Sequence, residues 1–371
     1  MNHPGLYIHV PFCRSKCPYC GFFSIASTSL VERWLDAFKK EIGLYKGIFK
    51  EPFDSLYLGG GTPSILSPDQ LKEIMDCLFA GYEFEDNPEI TIEANPGDMN
   101  RKKIIGIKSM GFNRVNLGVQ SFNDDELTFL GRRHSAREAA EAISLLRDSG
   151  IGNIGIDLIY GLPGQSLDAL EENLEKALVF HPEHLSCYQL NIEKDTPFEN
   201  MRKKGLIEPL REEMEETFFM ATTEFLEDHG YVHYEISNFA RGESYYSRHN
   251  RKYWDHTPYL GLGPSAHSFN GASRWWNKRS VRGYCEELEK GESPVEEHED
   301  LTDEQIMMEK VSLGLRTRWG FDLNVLCLDS KINNAIIMLE GSGYIYVKDR
   351  KVIPTKKGFM IADHLPLYFF S

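Results

Sequence analysis

The sequence predicts an α/β fold, a parallel sheet rolled part-way into a barrel, and three observations predict it. Apolar strand-like runs recur at intervals of roughly 30 to 40 residues, with amphipathic helical stretches between them. The alternation repeats six times, and strand–helix–strand units of this length join parallel strands by right-handed crossovers. Six units fall short of a full eight-fold barrel, so the expected architecture is a partial, six-unit parallel β/α barrel. A flat doubly wound sheet is the alternative. A different module follows at the C-terminal end.

Taken in order, the expected strands are LYIHV (Leu6 to Val10), SLYLG (Ser55 to Gly59), EITIEA (Glu89 to Ala94), RVNLGV (Arg114 to Val119), NIGIDLIY (Asn153 to Tyr160) and HLSCYQLN (His184 to Asn191). The helices between them are VERWLDAFKKEIGLYK, SPDQLKEIMDCLFA, NRKKIIGIKSMG, SAREAAEAISLLRDSG and SLDALEENLEKALVF. Serine-containing cap signals open some of these helices, and glycine closes others. From about Asp228 the pattern turns irregular and dense in aromatics and glycine. From about Thr302 it reads helix, short helix, helix, hairpin and final helix, an order that resembles a winged helix. Three divisions are therefore expected, 1–227, 228–300 and 301–371.

Composition sets the outer limits. The 371 residues include 41% hydrophobic and 12% aromatic side chains, enough to bury a sizeable core. A formal charge of −15 argues against non-specific binding to nucleic acid or to an anionic membrane surface. The winged-helix-like segment carries no basic stripe, so packing or partner docking is expected of it rather than DNA binding. No signal peptide and no apolar run of ~18 residues is visible, so a cytoplasmic protein without an integral membrane segment is expected; peripheral contact with a membrane stays open.

Chemistry concentrates at strand ends, where parallel α/β folds gather their active sites. Cys13, Cys17 and Cys20 follow the first strand in HVPFCRSKCPYCGFF. Three soft ligands on one loop suit an iron–sulfur cluster that leaves one iron open. A closed zinc site needs a fourth ligand, and the remaining cysteines are scattered singly; His9 is the nearest substitute. An odd cysteine count also disfavours a disulfide framework. Gly59-Gly60-Gly61-Thr62-Pro63 follows the second strand and allows a ligand to approach the backbone. Glu93 closes the third strand, Gln120 the fourth, and Asp157 lies in the fifth. Each alone reads as a tight turn or a solvated strand end. On one rim beside a cluster loop they form a site, suited to a small amino-acid-like cofactor that chelates iron while carboxylates hold its hydroxyls.

The Cys-x3-Cys-x2-Cys loop, the GGGTP turn and the strand order resemble the radical S-adenosylmethionine (SAM) superfamily, in which a 4Fe–4S cluster cleaves SAM reductively to a 5′-deoxyadenosyl radical. YIHVPFC, GGGTPS, GVQSF, LGRRHS, IDLIYGLPGQ and YQLNIEKDTP narrow the resemblance to the oxygen-independent coproporphyrinogen III oxidase family. That resemblance implies that Cys13, Cys17 and Cys20 hold the 4Fe–4S cluster and that Tyr7 and Tyr19 flank it. It places Gly60, Gly61, Thr62, Glu93, Gln120, Arg132 and Asp157 against SAM. Two departures matter. The oxidase has a further cysteine two residues past the triad, where this chain has Phe22, and a long extension before the cluster.

Both departures are shared by a sister group, the HemW-type heme chaperones, which is marked by His-Asn-x-x-Tyr-Trp. Here that motif is His249-Asn250-Arg251-Lys252-Tyr253-Trp254, followed by GLGPSAHSF. The resemblance implies heme contact at His249, Asn250, Tyr253 and Trp254, with His267 as a second candidate ligand. A packed aromatic corner around a hydrogen-bonded histidine is the competing account of the motif. The expected function is heme binding and delivery to an acceptor hemoprotein. The alternatives are radical decarboxylation of coproporphyrinogen III to protoporphyrinogen IX, or another radical SAM reaction, so whether the chain is an enzyme is left open.

Overall fold

A computed structural model describes residues 3–370. The six expected strands are β1 (Gly5–Val10), β2 (Phe53–Gly60), β3 (Phe84–Ala94), β4 (Arg114–Gln120), β5 (Ile154–Tyr160) and β6 (His184–Gln189). They lie side by side in chain order and all run parallel. Register is close to in-step: Gly5 faces Ser55 and Val10 faces Gly60, which brings the carboxyl ends to a common rim.

Each strand alternates. Leu6, Ile8 and Val10, Leu56 and Leu58, Val115, Leu117 and Val119, and Ile154 and Ile156 are fully buried beneath the helices. The intervening positions are Tyr7 and His9, Tyr57, Asn116 and Asp157, so one face of the sheet is apolar and the other carries polar chemistry. The helices form as expected: Val31–Leu44, Pro68–Gly81, Arg101–Ser109, Ala136–Asp148 and Leu167–Leu178. Ser67 with Gln70, and Ser135 with Glu138, form reciprocal capping boxes that fix two of the starts.

The segment that reads as irregular continues the same sheet. β7 (Val232–Glu235) and β8 (Asn238–Ala240) add antiparallel to β6, after an unanticipated helix, Glu212–Asp228. β9 (Tyr259–Leu262) pairs parallel with β1, and β10 (His267–Phe269), β11 (Ser273–Asn277) and β12 (Val295–Asp300) follow antiparallel. The sheet reaches twelve strands, from β12 at one end of the order to β7 at the other, and no pairing between those two is found among the described residues. Glu41 pins this extension: its carboxylate, from the first helix, accepts from the Gly263 amide at 2.8 Å and from Asn277 Nδ2 and Tyr284 OH at 2.5 Å each.

The C-terminal stretch has its own apolar cluster around Val311, Leu315, Leu339, Val352 and Leu365. Helices Asp303–Gly314 and Ser330–Gly341 precede the hairpin β14 (Ile345–Lys348) and β15 (Lys351–Pro354); a short β13 (Phe321–Asp322) joins the hairpin as a third strand. No helix among the described residues is long and apolar enough to cross a membrane.

Candidate functional site

The nine residues singled out around the cluster and SAM, from Tyr7 to Asp157, all line one cavity of about 400 Å³ at the carboxyl rim of β1–β6, together with Cys20. The cluster loop closes one side. Ile25 O accepts from the Cys13 amide at 3.0 Å, and Cys17 O accepts from the Cys20 amide at 3.2 Å. Thr62 Oγ1 donates to Cys13 Sγ and Arg132 Nη1 to Cys17 Sγ, each at 3.4 Å. The guanidinium thereby ties the β4–β5 connection to the cluster loop. Among the described residues, no three His, Cys, Asp or Glu side chains converge on a single ion.

The glycine turn sits directly on this loop. Gly60 has φ 106°, and its amide donates to Glu93 Oε2 at 3.2 Å. A Cβ on Gly61 would stand 2.6 Å from the Phe12 carbonyl oxygen, so only hydrogen fits between turn and loop. A hydrogen-bond relay crosses three strands: Asn116 Nδ2 donates to Tyr57 OH at 3.3 Å, and Tyr57 OH donates to Glu93 Oε1 at 2.7 Å. Burial pushes the Glu93 carboxyl up to about 7, opposed by the Tyr57 hydrogen bond. Burial likewise pushes Asp157 up to about 6, opposed by a hydrogen bond from Ser186.

Three polar atoms on the cavity's residues have no hydrogen-bond partner: Asn116 Oδ1, Gln120 Oε1 and Arg132 Nε. Unpaired buried polar atoms cost about 1–3 kcal/mol each, so the cavity is built for a polar ligand. SAM fits that demand with an amine, a carboxylate, ribose hydroxyls and a base. Gln120 holds φ 73°, in the left-handed region, at a register shift between β4 and β5. Strain of this kind persists where function requires it. Gln120→Gly is accordingly expected to leave stability unchanged or raise it by up to about 1 kcal/mol, and to weaken SAM binding. Thermal unfolding and calorimetric titration of the same variant check both halves.

Sequence reasoning missed Tyr57, Asn116 and Tyr188, of which Asn116 and Tyr188 line the cavity. The signal was present: each lies at the polar phase of a period-2 strand, on the face shared with Glu93 or Asp157.

The His-Asn-x-x-Tyr-Trp motif lies elsewhere, on the helix Arg248–Trp254. His249 is 1% exposed and borders none of the SAM cavity. Its Nδ1 pairs with Ser55 Oγ at 3.2 Å and its Nε2 with Tyr253 OH at 2.9 Å, while its ring stacks on Tyr57 and Tyr7. Both nitrogens are engaged, and burial pushes its pKa down to about 3, so the ring is neutral. Trp254 turns toward the C-terminal segment, beneath the Arg316 guanidinium. Asn250 receives the cap bond of this helix, its amide donating to Ser247 Oγ at 3.2 Å. Tyr253 alone of the four motif residues lines a cavity beside the cluster loop.

Fold and site together define the class: residues 7–177 match the model of the Radical SAM superfamily. In fold the chain is similar to coproporphyrinogen III oxidase HemN from Escherichia coli, with a TM-score of 0.86 over 99% of this chain and 90% of that one, at 24% identity. In sequence it is 34% identical to heme chaperone HemW of Bacillus subtilis over 97% of both chains. It is 37% identical to heme chaperone HemW of Haemophilus influenzae over 71% of this chain and 69% of the relative. The chain belongs to the HemW family of radical SAM proteins. Membership carries with it a 4Fe–4S cluster and SAM.

Proposed function

We propose that this chain is a heme chaperone, a cytoplasmic protein that binds heme beside its cluster and SAM and passes it to an acceptor hemoprotein. The observation that carries the reading is the 34% identity to a heme chaperone along 97% of both chains. Phe22 agrees with it: where the oxidase has a further cysteine, this chain has an apolar side chain 68% exposed to solvent. In this reading Cys13, Cys17 and Cys20 would hold the cluster, which would supply one-electron redox chemistry beside SAM. Arg132 fixes the loop through Cys17 and Tyr19 OH, at 3.4 Å each, and Glu93 and Asp157 orient SAM. The complete SAM cavity favours a second reading, a radical enzyme acting on coproporphyrinogen III. One preparation separates them. Reconstituted protein is given ferric heme and an apo-hemoprotein in one arm, and coproporphyrinogen III with SAM and reductant in the other. Heme transfer without decarboxylation is expected; turnover without transfer refutes the chaperone.

The raised carboxyls make SAM binding pH-dependent. Below about 6 both Glu93 and Asp157 hold protons and cannot pair with the cationic ligand. As pH rises through about 6 and then about 7 they ionise, and affinity for SAM is expected to rise roughly tenfold per carboxylate. Ligand-free stability runs the other way: a folded-state pKa above the unfolded value contributes stability at low pH that fades as pH rises through about 7. Calorimetric titration across that range checks this, with Glu93→Gln expected to lose the upper part of the rise.

A further inference from the structure

A second cavity, of about 360 Å³, lies on the far side of the cluster loop, between β1 and the sheet extension β9–β11. It shares Tyr7, Gly21 and Phe22 with the SAM cavity, so the two spaces meet at the loop. Phe22, Phe23, Tyr253 and Tyr259 supply aromatic walls; His267 and Arg279 stand at the edge, both exposed. Arg279 Nη2 donates to the Gly21 carbonyl at 3.2 Å, which ties this edge to the loop.

Three histidines stand near this space, and two are committed. His9 pairs Nδ1 with Tyr7 OH at 3.1 Å and Nε2 with the Phe23 carbonyl at 2.8 Å. His249 pairs both nitrogens as described and holds the Tyr253 hydroxyl in place. Of these three, His267 alone shows no hydrogen bond at either ring nitrogen among the described residues; its ring stacks on Trp276 at 5.6 Å. The start of its strand is tied to this framework, since the Asn277 amide donates to the Ala266 carbonyl at 2.9 Å while Asn277 Nδ2 donates to Glu41 and, at 2.9 Å, to the Gly263 carbonyl. Partial desolvation, with a smaller push from the Arg274 charge, lowers the pKa of His267, which keeps a lone pair available to iron.

We propose that heme seats in this cavity with His267 as its iron ligand and Arg279 facing a propionate, and that His249 acts through Tyr253 as a positioning residue. The inference rests on the heme-chaperone reading and assigns its binding site. A flat porphyrin with one ring edge in an aromatic cleft, an imidazole on its metal and a cation at its carboxylates matches what the cavity presents. The cleft is open to solvent, so the opposite edge stays accessible to an acceptor.

The test is anaerobic titration of ferric heme into cluster-reconstituted protein, read by the Soret band and the dissociation constant. Wild type is expected to give a histidine-ligated spectrum. His267→Ala is expected to lose that spectrum and bind heme roughly tenfold or more weakly, with added imidazole restoring the band. His249→Gln is expected to keep the ligation spectrum whatever its affinity. A wild-type spectrum in His267→Ala, or its loss in His249→Gln with His267 intact, overturns the ligand assignment. Absence of any heme spectrum in wild type overturns the heme-chaperone reading itself.

Discussion

Serine at any one of Cys13, Cys17 or Cys20 is expected to bring iron and sulfide in the reconstituted protein down on the order of tenfold or more. Each thiolate takes a separate iron, so no neighbour already on the same metal can compensate. The nearest histidine along the chain is His9, and both its nitrogens are held, by Tyr7 OH and the Phe23 carbonyl. A serine hydroxyl is a far weaker, harder ligand for iron than a cysteine thiolate. Serine at Cys77, Cys187 or Cys285 is the control. Burial raises all three of these thiols, Cys285 to about 11, and each stands alone along the chain. Those variants are expected to retain wild-type iron. A triad variant that keeps half or more of its iron contradicts the ligand set.

β1 to β6 were legible because parallel strands covered by helices must be apolar at every second position, and LYIHV or NIGIDLIY leaves few other readings. The strands that extend the sheet were not. β8 and β10 are three residues long, and β12 is VEEHED, an edge whose polar side chains carry no apolar alternation. The parallel pairing of β9 with β1 joins residues at opposite ends of the chain, which no local pattern reveals. At the site, residue types survived translation into geometry while environment did not. Glu93, Gln120 and Asp157 stand where strand ends predicted, yet the left-handed backbone of Gln120 and the relay through Tyr57 to Asn116 are products of packing. His249 shows the same limit. A histidine in a motif can be a ligand or a buried hydrogen-bonding post, and only its surroundings decide.

Glu89 is the residue whose importance the sequence conceals most, since it reads as the first residue of an ordinary strand. Its carboxylate accepts the backbone amides of Arg248 and His249, at 3.1 Å each, at the start of the motif helix. It also faces Arg114 at 4.0 Å, a guanidinium with no solvent exposure that donates to the Tyr245 carbonyl at 3.0 Å. Removing one partner of a buried pair leaves an uncompensated charge and costs about 3–5 kcal/mol. Glu89→Ala is therefore expected to lower unfolding stability by about 3 kcal/mol, and Glu89→Gln by less, because an amide oxygen still accepts from the helix. Urea unfolding checks the size, and the double variant Glu89→Ala, Arg114→Met checks the cause by recovering part of the loss. The helix it anchors carries Tyr253, so heme affinity is expected to fall in Glu89→Ala while iron content stays at the wild-type level. Stability within about 0.5 kcal/mol of wild type would mean that the buried charge finds another partner, and that Glu89 does not anchor the helix.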